Sequence, residues 1–252
     1  MKNNEATQYR SKGLWGSDLF DYSSLPSTND YCMSRITTLR HGTVVSAQHQ
    51  TAGRGRFSRN WLSCENTSLS FSVVIDNKKM PYSGITGMAA AVAVHRLLLR
   101  ESIDALLKWP NDVIVNNRKI SGILLEGASD RLVLGIGLNV NMESADFQSC
   151  GLWPAATSMK LETGISYELN DVRYNLLDEL EQSLCSLAED GSSLILDYWR
   201  SYDLLKGRHI TVNHTNNSPS GLCTGIGASG ELSLMDKNGA THFFLSGDVT
   251  LA

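Results

Sequence analysis

Lys108-Trp109-Pro110-Asn111-Asp112-Val113-Ile114-Val115-Asn116-Asn117-Arg118-Lys119-Ile120-Ser121-Gly122-Ile123-Leu124-Leu125 is the stretch that decides the fold. Pro110 keeps Trp109 out of helical geometry, so the first five residues form a rigid extended turn running into a strand. Val113–Val115 is a short β-branched run, Asn116-Asn117-Arg118 a turn, and Ile120–Leu125 a second apolar run. Two such runs joined by turn residues are a β-hairpin, so the sheet holds an antiparallel pair here.

Outward from this hairpin, helices and strands alternate without a repeat. On the N-terminal side, Ile85, Met88, Ala89, Val92 and Leu99 form one helical stripe and place a helix at 84–100. Leu69–Ile75 and Thr43–Ala47 read as strands. Ser27 or Thr28 caps a helix whose inner face is Cys32, Ile36 and Leu39. Residues 1–20 are polar and aperiodic, a flexible lead-in. On the C-terminal side, Leu132–Leu138 is a third apolar run, and Gly135 and Gly137 within it mark a close approach to the backbone. Helices follow at about 171–189, with Leu177, Leu180, Leu184 and Leu187 inward, and at about 192–204. After Lys206-Gly207 the period switches to two, with short strands at 209–212, 222–226, 232–234 and 242–245. The expected architecture is α/β (α+β). A mixed sheet flanked by helices spans 21–205, and a small β-barrel at 206–252 leans on it, since so short a unit is marginal alone.

Composition narrows the function. The 252 residues carry 42% hydrophobic and 19% charged side chains and a net charge of −4, so the chain is globular and has no basic field for nucleic acid or anionic membrane. Its longest apolar stretch, near 87–94, is far short of a transmembrane helix, and the N-terminus lacks a hydrophobic signal region. The five cysteines, Cys32, Cys64, Cys150, Cys185 and Cys223, form no close pair in sequence and read as reduced thiols of a cytoplasmic protein.

Four segments can carry chemistry. Gly53-Arg54-Gly55-Arg56-Phe57-Ser58-Arg59 combines glycines that let the backbone approach a ligand with three permanent charges, which suits phosphate; a solvated surface loop has the same composition. It is neither a Walker A loop nor a dinucleotide fingerprint. Lys108–Asp112 places an ammonium, an amide and a carboxylate close together, or is simply a structural turn around a half-buried Trp. Lys119, in Arg118-Lys119-Ile120-Ser121-Gly122, points into the site or into solvent according to strand alternation. Gly135-Ile136-Gly137-Leu138-Asn139-Val140-Asn141 is a strand ending in amides. No Gly-x-Ser-x-Gly elbow, His-Glu-x-x-His or metal-spaced set of Cys and His is present, so acyl chemistry would run without a covalent enzyme nucleophile.

In this order and spacing the segments resemble the biotin protein ligases, together with Ser27-Thr28-Asn29, Gln50-Thr51-Ala52 ahead of Gly53, and Ser246–Leu251 as a closing strand. The resemblance covers residue 20 to the C-terminus. It implies an SH3-like C-terminal barrel and a two-step reaction. Biotin is activated by ATP, with Mg2+, to biotinyl-5′-AMP, and the biotinyl group then passes to a lysine of a biotin carboxyl carrier protein domain. It further implies biotin contacts from Ser27, Thr28, Asn29, Gln50, Gly53, Arg54 and Gly122. Adenylate contacts are implied from Arg54, Arg56, Arg59, Trp61, Lys119 and Asn139. Lys119, Arg56 and Asp112 would be catalytic, with no resident metal. Ser58 stands where the family usually has glycine. Only about 20 residues precede the matched block, too few for the N-terminal DNA-binding domain of the bifunctional members, so a monofunctional enzyme without a DNA partner is expected; a homodimer is allowed. The related lipoate–protein ligases and octanoyltransferases are the alternative reading.

Overall fold

The computed structural model describes residues 7–9, 18–62, 64–80, 83–128, 130–152, 154–213 and 218–251. Thr7–Tyr9 (β1), Leu19–Leu25 (β2), Val44–Gln50 (β3), Ser68–Asp76 (β4), Leu106–Lys108 (β5), Asp112–Val115 (β6), Arg118–Ala128 (β7) and Arg131–Asn139 (β8) form one eight-stranded sheet in the order β1-β2-β3-β4-β8-β7-β6-β5. β2 and β3 run parallel and every other neighbouring pair antiparallel, so the sheet is mixed as expected. The decisive hairpin is β6–β7. Its turn is the two residues Asn116 and Asn117, both left-handed at φ 50° and 61°, and Arg118 already opens β7. Asparagine tolerates that conformation, which matches the twist of the flanking strands.

The central strands alternate. Phe71, Val73 and Ile75 of β4 and Leu132, Leu134 and Ile136 of β8 face one way, into the main core. Val74 and Val133 face the other. The first face is covered by Ser83–Arg100 (α2), Leu169–Glu189 (α5) and Ser193–Ser201 (α6), whose apolar residues belong to the same core. Thr28–Ser34 (α1) covers the second. Cys32 and Ile36 are buried beneath α1, as the spacing predicts, but the helix ends at Ser34. The amides of Arg35 and Ile36 bond to the carbonyls three residues back, which tightens the last turn and stops it, so Ile36 and Leu39 reach the core from turns.

The lead-in is not wholly free of structure: Thr7–Tyr9 pairs with Leu19–Asp21, and β2 starts inside the expected span. The rest of it lies outside the described residues. Two short helices, Ser144–Ser149 (α3) and Met159–Thr163 (α4), connect β8 to α5.

The C-terminal strands His209–Asn213 (β9), Ser220–Ile226 (β10), Leu232–Met235 (β11), Thr241–Phe244 (β12) and Asp248–Leu251 (β13) make an antiparallel sheet of order β12-β11-β10-β9-β13. The expected small β-barrel is thus a five-stranded antiparallel sheet, and among the described residues no ladder joins β12 to β13. The sheet does lean on the larger unit. Ile210, Val212, Leu232, Leu234 and Val249 share the main core, and the buried Trp109 donates from Nε1 to the Gly230 carbonyl at 3.0 Å. No described helix is long and apolar enough to cross a membrane.

Candidate active site

The α1-facing side of the sheet is stripped of bulk at its centre. Register places Ser68, Ser70 and Ser72 of β4 opposite Asn139, Gly137 and Gly135 of β8, and Gly122 and Leu124 of β7 opposite Gly137 and Gly135. Small residues here leave a cleft enclosing about 770 Å3, part of it open to solvent. Gly135 and Gly137 are where chain must come close: a Cβ at 135 would strike the Asn29 amide, and one at 137 would strike the Trp61 ring. The two glycines expected to mark a close approach therefore do so, with Asn29 and Trp61 as the approaching groups.

The inner end of the cleft consists of neutral groups at the start of α1. Ser27 caps the helix, its Oγ accepting from the Asp30 amide at 3.3 Å. Thr28 donates to Gln50 Oε1 from its amide at 2.8 Å and from its hydroxyl at 3.1 Å. Ser72 Oγ lies 2.8 Å from Thr28 Oγ1 and 2.6 Å from Asn29 Oδ1. All of these side chains are buried, and a buried network of this kind holds its members in one orientation.

The mouth is charged. The loop from Gly53 to Trp61 closes on itself, Gly55 N donating to Arg59 O at 2.7 Å and Trp61 N to Gly53 O at 2.9 Å. At its tip Phe57 is 58% exposed and left-handed at φ 52°, an uncommon conformation for a bulky residue. Arg54 pairs with Asp30 at 2.6 Å and Glu126 at 2.8 Å. Arg56 donates to Asn111 Oδ1 at 3.3 Å, and Arg59 pairs with Asp248 of β13. Lys119 Nζ stands 2.5 Å from Asp112 Oδ1 and 6.0 Å from the centre of the Trp61 ring. Burial lowers the Arg56 guanidinium below its usual range, against the pull of Asp112 and Asp248; it remains a cation at neutral pH.

A neutral, hydrogen-bonding end and a charged end share one cleft, and the relatives of the chain bear on what it binds. The model of the Biotin/lipoate A/B protein ligase family matches residues 22–143. The biotin–[acetyl-CoA-carboxylase] ligase of Mycobacterium tuberculosis is 33% identical over 82% of this chain and 78% of its own length. The chain belongs to the biotin protein ligase family. The bifunctional ligase/repressor BirA of Bacillus spizizenii is also 33% identical, over 83% of this chain, which spans 66% of that protein's length. Among solved structures, the biotin protein ligase of Aquifex aeolicus in complex with biotin and ATP superposes with a TM-score of 0.81 at 25% identity, covering 93% of this chain and 99% of that one.

Most of the residues expected of such a ligase line this one cleft: Ser27, Thr28, Asn29, Gln50, Arg54, Arg56, Arg59, Trp61, Asp112, Lys119 and Gly122. Gly53 is buried beside it, its carbonyl held by Trp61. Asn139 is not at the surface of the cleft: it is buried and its amide donates to Thr157 O at 3.0 Å. Lys108, grouped with Asp112 by sequence, does not line the cleft; Asn111 does, because its amide reaches both Arg56 and the Ile123 carbonyl. The side chain of Ser58 lies outside the described residues. Sequence reasoning passed over Ser72, Glu126 and Asp248. Each meets a partner far away in the chain, Glu126 meeting Asn29 across 97 positions, so no local pattern announces it.

Proposed function

We propose that this cleft activates biotin and transfers it to protein. Biotin's carboxylate attacks the α-phosphorus of MgATP, forming biotinyl-5′-AMP and expelling pyrophosphate. The amine of a lysine on a biotin carboxyl carrier domain then attacks the acyl carbon and expels AMP, forming an amide. The observation that carries this reading is the division of one cleft into a neutral end and a charged end that presents Lys119 and Arg56. The ureido ring of biotin is uncharged and needs donors and acceptors together, which Thr28, Asn29 and Gln50 offer. The carboxylate, the phosphates and the charge that develops at the α-phosphorus need fixed cations, which Lys119 and Arg56 supply without reorganisation. Asp112, bonded to Lys119, keeps that ammonium aimed along the cleft and is placed to take a hydrogen bond from an incoming amine. Trp61 offers an aromatic face for the nucleotide.

No group of three or more His, Cys, Asp or Glu among the described residues is arranged to hold a metal. In this reading Mg2+ comes with the triphosphate as part of the substrate, and the protein's share of the chemistry is positioning and positive charge.

Purified protein with ATP, Mg2+, biotin and a carrier domain, read by intact mass, should show one biotin adduct on the carrier. Titration with lipoate in parallel should show no heat. A lipoyl or octanoyl adduct in place of biotin would overturn the reading in favour of the other branch of the family.

A further inference from the structure

Each cation of the mouth has a different partner set. Lys119 has Asp112, Arg59 has Asp248, and Arg56 has the uncharged amide of Asn111. Arg54 has two carboxylates, Asp30 and Glu126, and Glu126 also accepts from Asn29 Nδ2 at 2.9 Å. We propose that Glu126 is a positioning residue that latches the root of the loop to the inner end of the cleft, and that Arg54 is part of this latch and does not bind phosphate. The proposal rests on the cleft being the biotin and nucleotide site.

The first half of the argument concerns the Asn29 amide. Its Oδ1 and Nδ2 ends are alike in shape, and only their partners decide which way the group faces. An ionised carboxylate can only accept, so Glu126 requires the NH2 end. That turns Oδ1 towards Ser72 Oγ, 2.6 Å away, and packs it over Gly135, where a Cβ would leave it no room. Glu126 thus sets the pattern of donors and acceptors that an uncharged ligand meets at the inner end.

The second half concerns charge. Arg54 NH2 lies 2.9 Å and 2.8 Å from the two oxygens of Glu126 and 2.6 Å from Asp30. Burial alone would lower its guanidinium, yet these carboxylates hold it above its usual range. One cation against two anions leaves a local charge of −1, which repels phosphate. The loop is tied again at its far end, where Arg59 meets Asp248. Only the span between, with Arg56 on it, is left to answer an anion. Glu126 therefore couples ligand at the inner end to the root of the loop.

The test uses Glu126→Gln, which keeps the shape and loses the charge, Arg54→Met, which keeps the stem, and the double variant. In ligand-free protein, hydrogen exchange of a peptide covering residues 53–61 should speed up about tenfold in each single variant and no further in the double, because partners in one network are not additive. By calorimetry Glu126→Gln should weaken biotin about tenfold, the loss of one charge-assisted bond. The KM for MgATP should stay within about threefold in Arg54→Met, whereas loss of a charged contact to phosphate would raise it at least tenfold. Glu126→Asp, which keeps the acceptor, should recover part of the biotin affinity. Additive exchange rates in the double variant would remove the latch. A tenfold rise in the MgATP KM of Arg54→Met with biotin affinity unchanged would make Arg54 a phosphate ligand. Should Glu126→Gln not fold, Glu126→Asp takes its place in the double variant. If the parent protein bound no biotin, the proposed function would fall, while the exchange measurement would still decide the latch.

Discussion

The inner end of the cleft is made of neutral groups already bonded to one another, whereas the mouth is made of full charges held in pairs. Ser27, Thr28, Asn29, Gln50 and Ser72 are buried and bond at 2.6–3.3 Å. Arg54, Arg59 and Lys119 keep 39%, 65% and 38% of their side chains in solvent. A buried neutral network gains its selectivity from geometry, because any ligand group that cannot bond leaves a partner stranded at about 1–3 kcal/mol. Exposed charges gain little from one another, and water and salt weaken them further. The difference predicts which end resists conservative change and which end responds to ionic strength.

The largest effect belongs at the junction of the two ends. Lys119→Ala removes the one ammonium that β7 fixes into the cleft and leaves Asp112 without its cation. A preorganised charge at the reacting centre is worth about 10²-fold in rate or more. Pyrophosphate release should slow by at least that factor in a folded variant. A rate near that of the parent would move the reacting phosphorus away from Lys119.

At the inner end the expected loss is smaller and appears in affinity. Thr28→Val keeps the volume but deprives Gln50 of one donor and Ser72 of its contact at Thr28 Oγ1. Biotin should bind about 1–3 kcal/mol more weakly by calorimetry, and added salt should leave that difference unchanged. Unaltered affinity would place the ring contacts elsewhere.

The contrast between the two ends also explains what could be read from the sequence. The cap at Ser27 or Thr28 and the two glycines of β8 are local signals that led to the right place, whereas alternation left the direction of Lys119 open and only the fold turns it into the cleft. The five-residue turn Lys108–Asp112 was legible as a turn, yet only the fold shows Asn111 within reach of Arg56 and Lys108 outside the cleft. β2 was missed because Leu19-Phe20-Asp21-Tyr22-Ser23-Ser24-Leu25 alternates poorly and draws its stability from parallel pairing with β3. β5 was missed because three residues carry no period. Cys64 and Cys150, 86 positions apart, bring their sulfurs within 3.9 Å although no spacing links them. Glu126 and Asp248 were illegible for the same reason: an ion pair that closes a loop over another element is specified by the fold, not by neighbours in sequence.

The smallest effect should come from the outermost pair, where Arg59 meets Asp248. The arginine is 65% exposed and the carboxylate 24%, so their mutual attraction is worth less than about 1 kcal/mol. Two substitutions separate their roles. Arg59→Gln leaves Asp248 unanswered at the mouth, where its charge opposes an incoming triphosphate. Asp248→Asn frees Arg59 to meet the same triphosphate. The two variants should therefore shift the KM for MgATP in opposite directions, each by no more than about fivefold. Raising the salt from about 0.05 M to about 0.5 M shortens the screening length from over 10 Å to a few ångström, and both shifts should shrink towards the parent value. Biotin affinity at any one salt concentration should match the parent's in both variants, because this pair belongs to the mouth and the ring contacts belong to the inner end. If Arg59→Gln and Asp248→Asn moved the KM in the same direction, the pair would act through the shape of the loop. If either variant moved biotin affinity away from the parent's at the same salt, the outermost pair would act on the inner end, and the division of the cleft would be wrong.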